Sequence, residues 1–163
     1  LDLIRSECGL HFLALNSAWN IDQFYPNRAS INTEALNRAL REIEKVPLGI
    51  AVWHHAVAGD RKIADADATR RLADAGFRIV LHGDVHQERD DALYYLDAAR
   101  RIYAIGCGAF AAPVKDRPES TPRSFTLLRI QRDLKNIEVV RRYQRTSESP
   151  YSDGPTHRIS LGE

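Results

Sequence analysis

The sequence predicts an α/β fold with mixed sheets flanked by helices, and three observations carry that reading. Residues 10–15, 49–53 and 77–81 are short, almost wholly apolar runs, the signature of inner strands buried on both faces. Apolar residues at helical spacing lie between successive runs. After residue 123 the pattern changes to two alternating segments joined by a turn, which reads as a β-hairpin.

Each element has a local reason. The run 10–15 ends in Asn16-Ser17, so a strand gives way to a polar loop. Residues 18–30 hold Trp19, Phe24, Tyr25 and Pro26, a long aromatic connection of the kind that borders sites. Asn32 is a good N-cap, and Ile31 and Leu36 are spaced as a hydrophobic staple across it. Leu36, Leu40 and Ile43 form the buried stripe, and Pro47 closes the helix. The strand 49–53 follows and delivers His54 and His55 at its C-terminal end. Asp65 or Asp67 caps a second helix with Leu72 and Ala75 inward, and Gly76 stands at its C′ position. The strand 77–81 then runs directly into His82-Gly83-Asp84-Val85-His86.

Later elements are less marked. Residues 91–101 fit either a short helix or a strand and turn. Residues 102–105 read as a strand, and Gly106-Cys107-Gly108-Ala109 as a tight turn. Residues 115–123, with Pro118 and Pro122, read as a rigid loop. In the hairpin, Phe125, Leu127 and Ile130 are the expected core residues, and the Arg-rich patch 141–145 is expected to be a solvated strand face. The expected boundaries are a domain over 1–146 and a loose polar tail over 147–163.

Composition narrows the function classes. A net charge of +1 gives no indication of nucleic acid or an anionic membrane as partner. No apolar run has the length of a membrane span. Cys8 and Cys107 lie far apart and form no metal-binding or redox pair, so buried, reduced thiols and a cytoplasmic location are expected. Methionine is absent, which fits a fragment or a sequence from which modified methionines have been left out.

The histidine clusters carry the chemistry. Strands joined by a helix of this length are parallel, and parallel strands put their C-terminal ends on one edge, where open α/β sheets bind ligands. His54 therefore converges with the run 82–86 for a topological reason. If the run stays extended, Asp84 and His86 point to one side and Val85 to the other. One carboxylate and two imidazoles suit Mn, Fe, Zn or Ni. A single His at a strand end is more often a satisfied polar residue than a ligand; the convergence of three groups argues for a metal. His55 would point away from His54, to pack or to support a ligand. His82, His11 and His157 receive no role.

Trp53-His54-His55-Ala56 and Gly83-Asp84-Val85-His86 resemble the fourth and fifth motifs of the calcineurin-like metallophosphoesterase superfamily, a His followed by x-Pro and Gly-His-x-His. Leu15-Asn16-Ser17 resembles the strand end between the third and fourth motifs. Ala56 replaces the usual Pro, and Asp84 replaces a His. The first three motifs have no counterpart: Gly59-Asp60 lacks the Asp that would stand at Ile63, and nothing suitable follows Asp84-x-His86 to make it the first motif.

The resemblance implies half of a four-layer αββα sandwich, its C-terminal part, with the remaining ligands upstream of Leu1. It implies two divalent metal ions, with His54 and Asp84 on the second and His86 on the first, and hydrolysis of a phosphate ester. The expected partners are that substrate and the missing N-terminal half, covalent or as a second chain. Arg117 and Arg123 are candidates to touch the phosphate. The alternative is a catalytically inactive binding or regulatory module, motivated by Asp84.

Overall fold

A computed structural model describes residues 2–5, 8–43, 47–59, 62–65, 67–84, 89–95, 97–111, 113, 115 and 121–162. Its strands are β1 (Asp2–Arg5), β2 (Leu10–Ala14), β3 (Leu48–Val52), β4 (Phe77–His82), β5 (Arg89–Tyr95), β6 (Asp97–Gly106), β7 (Arg123–Ile130), β8 (Asn136–Gln144) and β9 (Ser152–Ser160). Helix α1 (Thr33–Glu42) follows β2, and α2 (Asp67–Asp74) joins β3 to β4. A six-stranded sheet has the order β1-β2-β3-β4-β6-β5, and a three-stranded sheet the order β7-β8-β9. Strands β2, β3, β4 and β6 are parallel, and β1 and β5 flank them antiparallel. The fold is thus mixed α/β, as the sequence predicts.

The helices form where their caps direct. Asn32 Oδ1 accepts from the amide of Ala35 at 2.9 Å, and Ile31 and Leu36 are both buried beside it. Asp65 Oδ1 accepts from the amide of Asp67 at 3.0 Å at the start of α2. Gly76 ends that helix in the left-handed region at φ 93°, a conformation that costs Gly little.

The large sheet is buried on both faces. On one, Leu13, Ala51, Trp53, Phe77, Val80 and Ile102 pack with Leu36 and Ala39 of α1 and Leu72 of α2. On the other, Leu48, Ile50, Ile79 and Ile105 pack against Ile137, Val139 and Ile159 of the small sheet. The alternation of Ile50 and Ala51 between these faces is the period-two rule of a strand. Helices, large sheet and small sheet make three layers. The outward face of the small sheet carries the ion pairs Arg129–Glu138, at 2.9 Å, and Arg142–Asp153.

Several expectations are corrected. Within the span expected as a loose tail, residues 152–160 form β9, which pairs antiparallel with β8 from Tyr143↔Ser152 to Asn136↔Ser160. That strand is polar, so it carries no apolar alternation, and backbone pairing holds it in place. Leu127 lies on the outward face and is 40% exposed, whereas Leu128 and Ile130 turn toward the core. Arg141 is buried, not solvated. It sits on the inward side of β8 and donates to the carbonyl of Gly106 at 2.9 Å and to the Thr126 hydroxyl, tying the two sheets together. Residues 91–95 and 97–101 adopt the strand alternative, within β5 and β6. Cys8 is exposed and Cys107 half-buried, so neither is the buried thiol expected. No helix among the described residues is long and apolar enough to cross a membrane.

Candidate functional site

The site is built on the C-terminal edge of the parallel strands. The pairing of β2 with β3 matches Ala14 with Val52. Leu15 extends it by donating its amide to the Val52 carbonyl at 2.9 Å. Continued three residues, that register sets Ser17 opposite His55. On the other side of β3, Trp53 donates to the carbonyl of Leu81 at 3.1 Å, and Gly83 donates to the carbonyl of His54 at 2.8 Å. The two loops that carry His54 and Asp84 are therefore stitched by backbone hydrogen bonds.

His54 Nε2 stands 3.6 Å from Asp84 Oδ1. The imidazole is 65% exposed and the carboxylate 18% exposed, so the pair opens to solvent from the histidine side. Asp84 adopts φ 67°, the left-handed region. This corrects the expectation of an extended run: β4 ends at His82, and the chain turns at Asp84 instead of alternating through it. Asp tolerates that conformation better than most residues. His82, to which the sequence assigns no role, is buried.

Sequence reasoning gave Ser17 no role, yet it organises the loop. Its Oγ accepts from the amides of His54 at 3.2 Å and His55 at 3.3 Å. The same oxygen is 2.8 Å from His55 Nδ1. The only signal in the sequence was its place at a strand end beside the His–His strand. Asn16 makes the adjoining turn by accepting from the amide of Ala18 at 2.8 Å. The His55 ring meets that of His54 edge-on, with centroids 5.0 Å apart and planes at 77°. Burial holds the His55 imidazole below its ordinary pKa; the Asp84 carboxylate pulls the other way, and His54 adds to the lowering.

The other candidates lie elsewhere. His86 and Arg117 lie outside the described residues. Arg123 opens β7 in the small sheet and donates to Gln144 Oε1 at 3.4 Å across the strand pair. Cys107 follows β6 at the same sheet edge and donates its amide to the His82 carbonyl at 2.9 Å. The aromatic connection carries exposed Trp19, Phe24 and Tyr25. Trp19 lines a groove of about 480 Å³ over the start of α1, with Asn32, Glu34 and Asp65 among its walls.

The donor set fits a divalent cation. Two ligands on one tetrahedral ion, each roughly 2.0–2.2 Å from it, stand roughly 3.4 Å apart, close to the observed 3.6 Å. Neutral imidazole with carboxylate suits Zn or Mn. Among the described residues no group of three or more His, Cys, Asp or Glu is placed to share an ion.

Fold and site together define a mixed α/β protein carrying a histidine–carboxylate pair at its sheet edge. No family model and no curated protein matches the chain. Among solved structures it is similar to wild-type Vps29 from Entamoeba histolytica complexed with Zn2+, at 13% identity and TM-score 0.37, over 93% of this chain and 99% of that one. A double mutant of the same Vps29 gives 11% identity and TM-score 0.36, over 93% and 98%. At these values the likeness adds nothing to the assignment of the site.

Proposed function

We propose that this chain is a metallophosphoesterase-like binding or regulatory module whose His54 and Asp84 form a two-residue seat for one divalent cation. The approach of His54 Nε2 to Asp84 Oδ1 at 3.6 Å is the observation that carries it. A carboxylate at this place neutralises part of the ion's charge, which weakens the pull on a phosphate ester relative to an imidazole. A bound cation would supply Lewis acidity and open positions for an anionic oxygen. The chain's own residues hold the seat: His54 and Asp84 bind, and Ser17 and His55 support the loop.

The test is metal stoichiometry with turnover on the full chain. One Zn2+ or Mn2+ per chain, lost in His54→Ala, with no hydrolysis of p-nitrophenyl phosphate or its bis ester, is the expected result. Two ions per chain with metal-dependent turnover would overturn the module reading.

A second reading is two-metal hydrolysis of a phosphate ester with the remaining ligands upstream in a longer protein, and two ions with turnover in that longer protein would favour it. The convergence of the His54 and Asp84 loops on one sheet edge supports it. In that reading His86 holds the other ion, Arg117 and Arg123 face the phosphate, and His86→Ala abolishes turnover in the longer protein.

A further inference from the structure

We infer that Ser17 is a positioning residue that fixes the His54–His55 turn and holds His55 in its neutral Nε2–H form, so that His55 buttresses His54 against Asp84. The inference rests on reading His54 as half of a cation seat. A serine hydroxyl offers two lone pairs and one proton. The amides of His54 and His55 approach Ser17 Oγ at 3.2 and 3.3 Å and take the two lone pairs. The proton is then left for His55 Nδ1, 2.8 Å away. An imidazole that accepts at Nδ1 carries its hydrogen on Nε2.

Burial strengthens the constraint. Ser17 is 2% exposed, so water does not compete for its hydroxyl. Its backbone is tied as well, because its carbonyl accepts from the amide of Ser30 at 3.0 Å. The rigid end of the β2 loop thus sets two amides and one ring. That ring stands edge-on to His54 at 5.0 Å. His54 is itself mostly exposed, so the His55 wall and the backbone turn define where its imidazole can go.

Two readouts on the full chain test this. Long-range ¹H–¹⁵N correlation on labelled wild-type protein reads the His55 tautomer directly. The expected signature is a pyrrole-type Nε2 and a pyridine-type Nδ1, lost to a mixture in Ser17→Ala. A wild-type His55 protonated at Nδ1 overturns the inference without reference to any metal. In Zn2+ titrations, Ser17→Ala is expected to weaken binding by roughly 10–100-fold, the loss typical of removing an outer support of a ligand. Ser17→Thr, which keeps the hydroxyl, is expected to recover most of it. Wild-type affinity in a folded Ser17→Ala chain overturns the positioning role and leaves the cation seat standing. A wild-type chain that takes no Zn2+ removes the seat, and with it anything for Ser17 to position.

Discussion

The amide of Gly83, one residue before Asp84, donates at 2.8 Å to the carbonyl of His54, whose imidazole Asp84 approaches. This bond aligns the two site loops before any side chain is considered. A Cβ at Gly83 would meet His54 Nδ1 and the His54 carbonyl oxygen at 3.6 Å, ordinary contact distance. Gly83→Ala is therefore expected to fold with a stability loss under about 1 kcal/mol. Gly83→Pro removes the donor and restricts the residue before it, and is expected to cost about 1–3 kcal/mol. Urea denaturation of both variants checks the ordering.

His55 predicts a pH dependence with a definite sign. Its folded pKa lies below the ordinary 6.5. Between the two values the unfolded chain binds the extra proton and the folded chain does not. Stability from this group is complete above about 6.5 and falls as pH drops through that value toward the folded pKa. His55→Gln is expected to flatten the slope in that window. The lowered carboxyls of Asp67 and Asp133 act in a more acidic window, below their ordinary 3.8. Denaturation midpoints measured from pH 7.5 to 5 separate the two.

Gly49 predicts an overpacking effect. A Cβ there would stand 2.7 Å from the Phe77 ring, and Phe77 is completely buried. Gly49→Ala is expected to cost about 1–3 kcal/mol. Adding Phe77→Leu to that variant is expected to cost less than the sum of the two single changes, because the clash is relieved. A double-mutant cycle by chemical denaturation gives the coupling.

The N-cap supplies a fourth prediction. Asn32→Ala deletes the acceptor for the Ala35 amide and is expected to cost about 1 kcal/mol. Asn32→Ser is expected to restore most of it. Thermal denaturation checks the pair.

What was legible in the sequence follows from where the physics is local. Asn32 and Gly76 mark helix ends through their own backbone preferences, and the apolar runs at β2, β3 and β4 allow few alternatives. The meeting of His54 with Asp84 was legible too, because parallel pairing of β3 with β4 dictates it. Long-range features were hidden. Arg141 reads as one of several exposed cations, and only the inward parity of β8 places it against Gly106. Strand β9 has too few apolar residues to announce itself. The left-handed turn at Asp84 breaks the alternation that a regular strand implies. Ser17 acts across 37 and 38 residues of sequence, and no local pattern encodes that.

The most direct test is a Zn2+ calorimetric double-mutant cycle on the full chain with His54→Ala, Asp84→Asn and the pair. Two residues on one ion predict that each single change weakens binding by tenfold or more, on the order of what losing a supporting group costs, and that the double change weakens it little further. Equal affinity in wild type and both singles, or fully additive losses, would contradict a shared cation seat.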